Sequence, residues 1–408
     1  MWFLACAILA LPLVAVSVLG ASPRLALLQY RSMLVLAANH LVTLGWGTMV
    51  AIGSLHQMLP AAAGVPRGGD RLMPFQFGLY LVGVTALAAG FGWHLLPLLL
   101  FGGGAVFTAI LLAIGRATAV LMHRTRWLPS LSYIVVALAC LGGVSAWGLI
   151  LVLNWRFLFW RDLIGPVGLM VHLPLGLIGW FATLVAGVSY YLLPRFTGLK
   201  DPSKVHPRAV LVSLSAGLAV TLGGAIVLPA GVRIGLLLVA IGGFLYTADV
   251  VRFLHAWPKK ARDITRAHWK VIAAETGILS AGLLGWTVGV LPGDPQRWAV
   301  AGVSLFLLGW VTLAITGQAY KVTPFLIWYY RYRLGMAPLE VPRLEAPYWP
   351  PAGGPSLALL ACGGALVALG VLAWSPAVSM LGGLAFFAGA VVFSYLLGYS
   401  WLPRLWGR

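Results

Sequence analysis

The amino-acid sequence predicts an all-α integral membrane protein of twelve transmembrane helices, arranged as three pseudosymmetric arcs of four. Three observations predict it: an apolar composition, a charge imbalance between alternate loops, and a motif that returns every four helices. Of 408 residues, 61% are hydrophobic and 9% charged, against about 25% charged in an average soluble chain. The apolar runs are long enough to cross a bilayer, which takes roughly 20 residues. The 50 glycines and 25 prolines among them are tolerated because neighbouring membrane helices re-satisfy the backbone.

Helices are expected near 1–19, 33–59, 74–91, 94–120, 130–153, 164–194, 208–229, 232–255, 266–291, 299–328, 355–374 and 378–401. The first has no Lys or Arg ahead of its apolar core. It lacks the charged opening of a secretory signal and is counted as a helix. Cys6, Cys140 and Cys362 stand far apart in apolar runs, with neither a disulfide framework nor zinc spacing.

Charge sets the orientation. With this helix count, one side of the membrane carries Arg24, Arg31, Arg156, Arg161, Arg233 and Arg297, and the other carries the remaining 21 of 27 basic residues. The positive-inside rule puts the rich side, and both termini, in the cytoplasm. The expected location is a prokaryotic cytoplasmic membrane. A miscounted helix would scramble this asymmetry. The net charge of +18 is thereby mostly topology, and the expected partner is the lipid bilayer. Nucleic-acid binding is not expected, because no basic stripe lies outside the short loops.

An internal repeat runs through the helices at 33–60, 164–194 and 299–328. They read GWGTMVAIGSLHQMLP from Gly45, GWFATLVAGVSYYLLP from Gly179 and GWVTLAITGQAYKVTP from Gly309. Each has a glycine eight positions on (Gly53, Gly187, Gly317) and a ring eleven on (His56, Tyr190, Tyr320), and each ends in proline fifteen on. Four helices separate successive copies, so equivalent helices are expected to line equivalent clefts.

Ionisable groups inside a membrane are costly and default to functional candidates. His40 has Gly47 on its face, and His172 has Gly176 and Gly179. Glycine beside a histidine admits a flat macrocycle, or the close approach of another helix. Glu275 is the clearest carboxylate within a span. Together with Lys270, Asp249 and Arg252 it is expected to form an ion-paired cluster, structural or serving as a proton or ion site. His56, His94, His123, His206, His255 and His268 lie nearer helix ends and read as interfacial, with His94 a candidate distal partner. No P-loop, G-x-S-x-G, H-E-x-x-H or C-x-x-C-H is present, so any heme is expected to be non-covalent.

The twelve-helix topology and the repeat resemble subunit I of the heme-copper oxidases and nitric oxide reductases. HLPLGLIGWFATLVAGVSYYLLPRF, from His172 to Phe196, is similar to that family's H-x-H-x-G-x-x-G-W segment, and NHLVTLGWGTMVAIGSLHQMLP, from Asn39, to its second helix. The resemblance implies that His40 stands where a low-spin heme ligand would. His172 matches the first histidine of the H-x-H pair, whose second position holds Pro174. The corresponding positions in the tenth helix are Gly302 and Ser304, and the seventh helix has no histidine. Arginines that hold heme propionates in the family are missing near Ser375. No copper site is therefore expected, and neither is terminal reduction of oxygen or nitric oxide.

What remains is a divergent relative binding a single heme b through His40 or His172, or through both if their helices face one cleft. Its role would be electron transfer, or diatomic-gas or heme handling. Respiratory subunits or a small electron carrier are the candidate partners, with the loop at 329–354 as a docking surface. The rival readings are a cofactor-free transporter or channel with Glu275 as its coupling group, and an accessory subunit of a respiratory complex.

Overall fold

The computed structural model describes residues 2–66, 71–158, 161–198, 205–258, 263–330 and 353–399. Most of the expected docking loop, 331–352, lies outside them. Twelve helices are long and apolar enough to cross a membrane. They are α1 (Trp2–Ala26), α2 (Met33–Ala63), α3 (Met73–Gly92), α4 (Leu96–Met122), α5 (Pro129–Phe157), α6 (Val167–Thr197), α7 (Pro207–Ile226), α8 (Ala230–Ala256), α9 (Ile264–Val288), α10 (Pro295–Trp328), α11 (Gly353–Leu372) and α12 (Pro376–Tyr399). The described residues contain no strand.

Expected and observed spans correspond one to one, with two informative shifts. Helix α1 continues past residue 19 through Pro23 and Arg24. The Ser22 hydroxyl bonds back to the Val18 carbonyl at 2.6 Å, and Arg24 in the last turn complements the helix dipole. Helix α9 stops at Val288, earlier than residue 291, because Gly289 adopts φ +76° and closes it as a left-handed cap.

Each helix packs on the next, and α12 returns to pack on α1, so the chain closes on itself. Beyond these neighbours, α2 touches α4, α6 touches α8, and α10 touches α12. The three Gly-Trp helices share an internal irregularity. Each widens into a π-helical segment, at Leu41–Thr48, Leu175–Ala182 and Leu305–Val311. All three begin four residues ahead of the Gly-Trp glycine. Such segments leave the α-helical bonding pattern, and local side chains take up the backbone. Thr183 and Thr312 bond to carbonyls five residues back, Ile178 and Leu307, both at 2.9 Å, and the Tyr80 hydroxyl donates to Leu44 at 2.9 Å.

The repeat extends to what each helix touches. The Gly53, Gly187 and Gly317 positions meet the β-carbons of Phe3 on α1, Tyr133 on α5 and His268 on α9. The ring three residues further along then pairs with the same side chain. Phe3–His56, Tyr133–Tyr190 and His268–Tyr320 have centroids 5.8, 5.5 and 5.6 Å apart. His268 is thus fully buried, contrary to the interfacial position expected of it. It fills the place that Phe and Tyr fill in the other copies.

Two polar locks hold the ends of the bundle. Arg297, buried at the start of α10, donates to the carbonyls of Ala26 at 3.0 Å and Val371 at 2.5 Å and lies 3.0 Å from the Trp374 ring centre. It ties together the last turns of α1 and α11, where a cation also complements two helix dipoles. Replacing it by leucine removes the charged donor from both carbonyls, leaving Val371 only the 3.5 Å bond from the Trp374 amide. Arg297→Leu is expected to cost about 3–6 kcal/mol, given two charged hydrogen bonds of roughly 1.5–3 kcal/mol each. A lowered midpoint of thermal unfolding in detergent checks it.

At the other end, Asp263 caps α9 by accepting from the Arg266 amide at 3.1 Å. It also accepts from Lys321 on α10 at 2.9 Å and from the Trp257 indole at 3.0 Å. Burial raises its carboxyl, but these donors, Lys321 foremost, outweigh burial and hold it below the ordinary carboxylate value. A depressed group contributes stability that is present above its unfolded value and lost as pH falls through the folded one. Thermal stability is therefore expected to decline below about pH 4. In Asp263→Asn that part of the slope should disappear, and an unchanged slope would assign it to other groups.

Candidate functional site

His40 lies on α2 immediately ahead of its π-helical segment, and His172 lies on α6 three residues ahead of the corresponding one. Both precede a Gly-Trp pair, and both project between α2 and α6. Their ring centroids are 6.4 Å apart, with planes inclined by 34°. The helices are locked just below this point. The Trp180 indole donates to Thr48 at 3.0 Å, and Phe181 packs directly on Gly47.

The His40 tautomer follows from its bonding. Nδ1 lies 2.7 Å from the Leu36 carbonyl oxygen, which can only accept. Nδ1 therefore carries the proton, and Nε2 keeps a lone pair. A backbone carbonyl on the far nitrogen is the usual arrangement that orients a ligating imidazole. His172 Nδ1 is buried with no hydrogen-bond partner, and its Cε1 lies against Gly148 of α5. Phe91 of α3 stacks on His40 with centroids 4.8 Å apart. Ala37, Leu87, Phe91, Leu99 and Val152 form a small apolar cluster of their own, separate from the main core.

The residues around the pair are half-buried. Residues 142–151 of α5 are neither buried nor exposed, and the same holds for His40, His172 and residues 174–178. Gly148 lies against His172 and Gly176 against Val144. Gly47 and Gly179, by contrast, serve helix contact, packing on Phe181 and on Cys140. Metal–imidazole bonds are about 2 Å long, so two imidazoles on one metal have centroids about 6 Å apart. At 6.4 Å, His40 and His172 lie close enough that the two imidazoles could hold one metal. The residues present suit a heme: two neighbouring imidazoles, one with its tautomer fixed, and an orphaned buried nitrogen. Among the described residues, no three His, Cys, Asp or Glu side chains converge on a metal-sized site.

The expected ion-paired cluster is resolved into unconnected parts. Asp249 accepts from Arg252 at 2.7 Å, from the Tyr190 hydroxyl at 2.7 Å and from the His206 amide at 2.7 Å. This fully bonded carboxylate fastens the start of α7 to α6 and α8. Lys270 is exposed, and no ion pair joins it to Glu275 among the described residues. Glu275 is buried, rests on Gly309 in the third π-helical segment, and has an Oε2 with no hydrogen-bond partner. Ser304 bonds back to Val300 at 2.8 Å, and the Gly302 position opens on free space.

His94 does not face His40. It sits exposed in the α3–α4 turn with φ +57°. With Arg24, Arg31 and Ser32 it lines a cleft at the N-terminal end of α2. Sequence reasoning missed Phe91 and Gly148. Neither carries a local signal, because each reaches the site from a helix outside the repeat. The chain matches no protein-family model and no curated protein.

Proposed function

We propose that this is an electron-transfer membrane protein that holds one b-type heme between His40 and His172, on a scaffold like that of heme-copper oxidase subunit I. The single observation that carries the reading is the facing imidazole pair, 6.4 Å between centroids, with the His40 lone pair freed by its bond to Leu36. In this reading the bundle is three arcs of four helices. The matched π-helical segments, glycine contacts and ring pairs support that arrangement. The arginine-rich loops face the cytoplasm, and so do both termini.

The heme, when bound, supplies a one-electron couple. The protein's part is to ligate, orient and insulate. His40 and His172 are the residues that would hold the group, and engagement of both imidazoles would favour electron transfer over gas binding. Phe91 holds the His40 ring plane, and the Leu36 carbonyl fixes its tautomer. The apolar cluster around Phe91 excludes water and so raises the cost of a net charge at the metal. No copper site belongs to this reading, and the protein is not expected to reduce oxygen or nitric oxide. Partner respiratory subunits or a small electron carrier would deliver and collect the electron.

The test is the optical spectrum of protein purified after expression with ample heme. A Soret band with sharp α and β bands on reduction, characteristic of two nitrogen ligands, is expected. Protein that takes up no heme under these conditions would sink the proposal.

A further inference from the structure

We infer that the cavity where α2, α6 and α10 meet is a binding site for a small uncharged amphiphile, a short apolar body carrying one hydroxyl or carbonyl. The inference does not rest on the His40–His172 reading. The cavity has a volume of 100 Å³. Its walls come from the three Gly-Trp helices, with Leu4 and Ile8 of α1 and Ile134 of α5. On α2, α6 and α10 every lining residue follows the Gly-Trp glycine, whereas both imidazoles precede it.

The repeat builds the cavity. Positions five and nine residues after that glycine line it in all three copies: Val50, Leu184 and Ala314, then Ser54, Val188 and Gln318. An α-helix returns to the same face after about four residues, so each helix turns one stripe inward. No charged side chain belongs to the lining, whose polar members are Ser54, Gln318, Thr323 and Tyr191. Ser54 and Gln318 stand at the same repeat position, and neither side chain has a hydrogen-bond partner among the described residues. Thr323 is only 2% exposed, and its hydroxyl is unpartnered as well. Elsewhere in the spans such hydroxyls bond back to their own helix, as Thr316 does to Thr312 at 2.9 Å.

Volume and lining select the occupant. An apolar cavity of about 150 Å³ admits benzene, so 100 Å³ takes a body on the order of four carbons. Water needs about two to four polar partners. It would find them only beside Ser54 and Gln318, and the apolar remainder would stay empty. An apolar gas would fill that remainder and leave the polar groups unpartnered, which costs free energy in a buried site. An ion would be buried without a counter-charge, at higher cost still. A neutral molecule with one hydrogen-bonding end satisfies both parts of the wall. Pockets that bind small molecules share this construction, mostly apolar with a few polar groups that fix orientation.

The test uses the full-length protein in lipid nanodiscs, photolabelled with an alcohol of about four carbons that carries a diazirine. Peptide mass spectrometry then locates the adducts. Adducts on the cavity-lining stripes of α2, α6 and α10, suppressed by excess n-butanol, are the expected result. Removing the polar anchors, by Ser54→Ala with Gln318→Leu, should raise the n-butanol concentration for half protection about tenfold, the loss of two ordinary hydrogen bonds. Protection by n-pentane, which has no hydroxyl, should not change. Filling the cavity by Ala314→Leu should remove protection by both. Wild-type adducts confined to the lipid-facing residues, a result that needs no variant, would overturn the site. Equal protection by n-butanol in the wild type and a folded anchor variant would overturn the amphiphile as its ligand.

Discussion

Under the proposed heme reading, replacing His172 by alanine is expected to turn a spectrum that ignores carbon monoxide into one that responds to it. If both imidazoles hold the heme proposed above, carbon monoxide should leave the wild-type reduced spectrum unchanged. Truncating His172 would leave His40 as the one imidazole holding the group. A shifted, intensified Soret band on adding the gas is the expected result. The two histidines are not expected to be equivalent. Nδ1 of His40 is bonded to the Leu36 carbonyl, whereas Nδ1 of His172 has no partner. Such second partners are worth about 10–100-fold in metal affinity. His40→Ala should therefore lose most of its heme where His172→Ala keeps much of its own. Wild-type protein that binds carbon monoxide at once would remove His172 from the ligand set.

Adding one methyl group at Gly53, Gly187 or Gly317 is expected to destabilise the bundle in all three places. A β-carbon at Gly53 would stand 2.9 Å from that of Phe3, and one at Gly317 would stand 2.6 Å from that of His268. At Gly187 it would run into the β-carbon of Tyr133. These neighbours are the stems of side chains, which cannot swing aside as a flexible tip can. Relief requires moving α1, α5 or α9, and overpacking of this kind costs about 1–3 kcal/mol. Alanine at Gly78, Gly115 or Gly223, which face open space, is the control. There the gain in helix propensity, up to about 1 kcal/mol, should leave stability unchanged or raised. Thermal unfolding in one detergent compares all six. Loss at Gly187 without loss at Gly53 and Gly317 would mean that the three contacts are not alike in energy.

The helix count was legible because length and hydropathy are local properties of the chain. The Gly-Trp to Pro pattern was legible because its spacing is fixed within one helix. The partners of that pattern were not. Phe3, Tyr133 and His268 share a place in the fold but no residue type, so nothing marks them as equivalent. His268, judged by its nearness to a helix end, read as interfacial and is fully buried. The grouping of Lys270 with Glu275 failed for a geometric reason. Five residues place two side chains about 140° apart around a helix, so one faces outward when the other faces in. For the candidate site, His40 and His172 were readable one by one. Their encounter depends on how two helices 132 residues apart in sequence are rotated, as the Trp180 to Thr48 bond reflects.

That rotation leads back to the π-helical segments. A π-helical turn accommodates one residue more than the α-helical turn it replaces, and each residue of an α-helix advances the chain by about 100° around its axis. The part of α2 that precedes Leu41 is thereby offset in angular phase from the part that follows Thr48, and α6 is offset in the same sense around Leu175–Ala182. The lower halves of both helices keep their glycines and rings aimed at α1 and α5, while the upper halves aim separately. The segments thus act as couplings that free the direction of an imidazole from the register of the packing below it. A substitution ahead of the π-helical segment can therefore re-aim a side chain there without disturbing the glycine contacts beyond it.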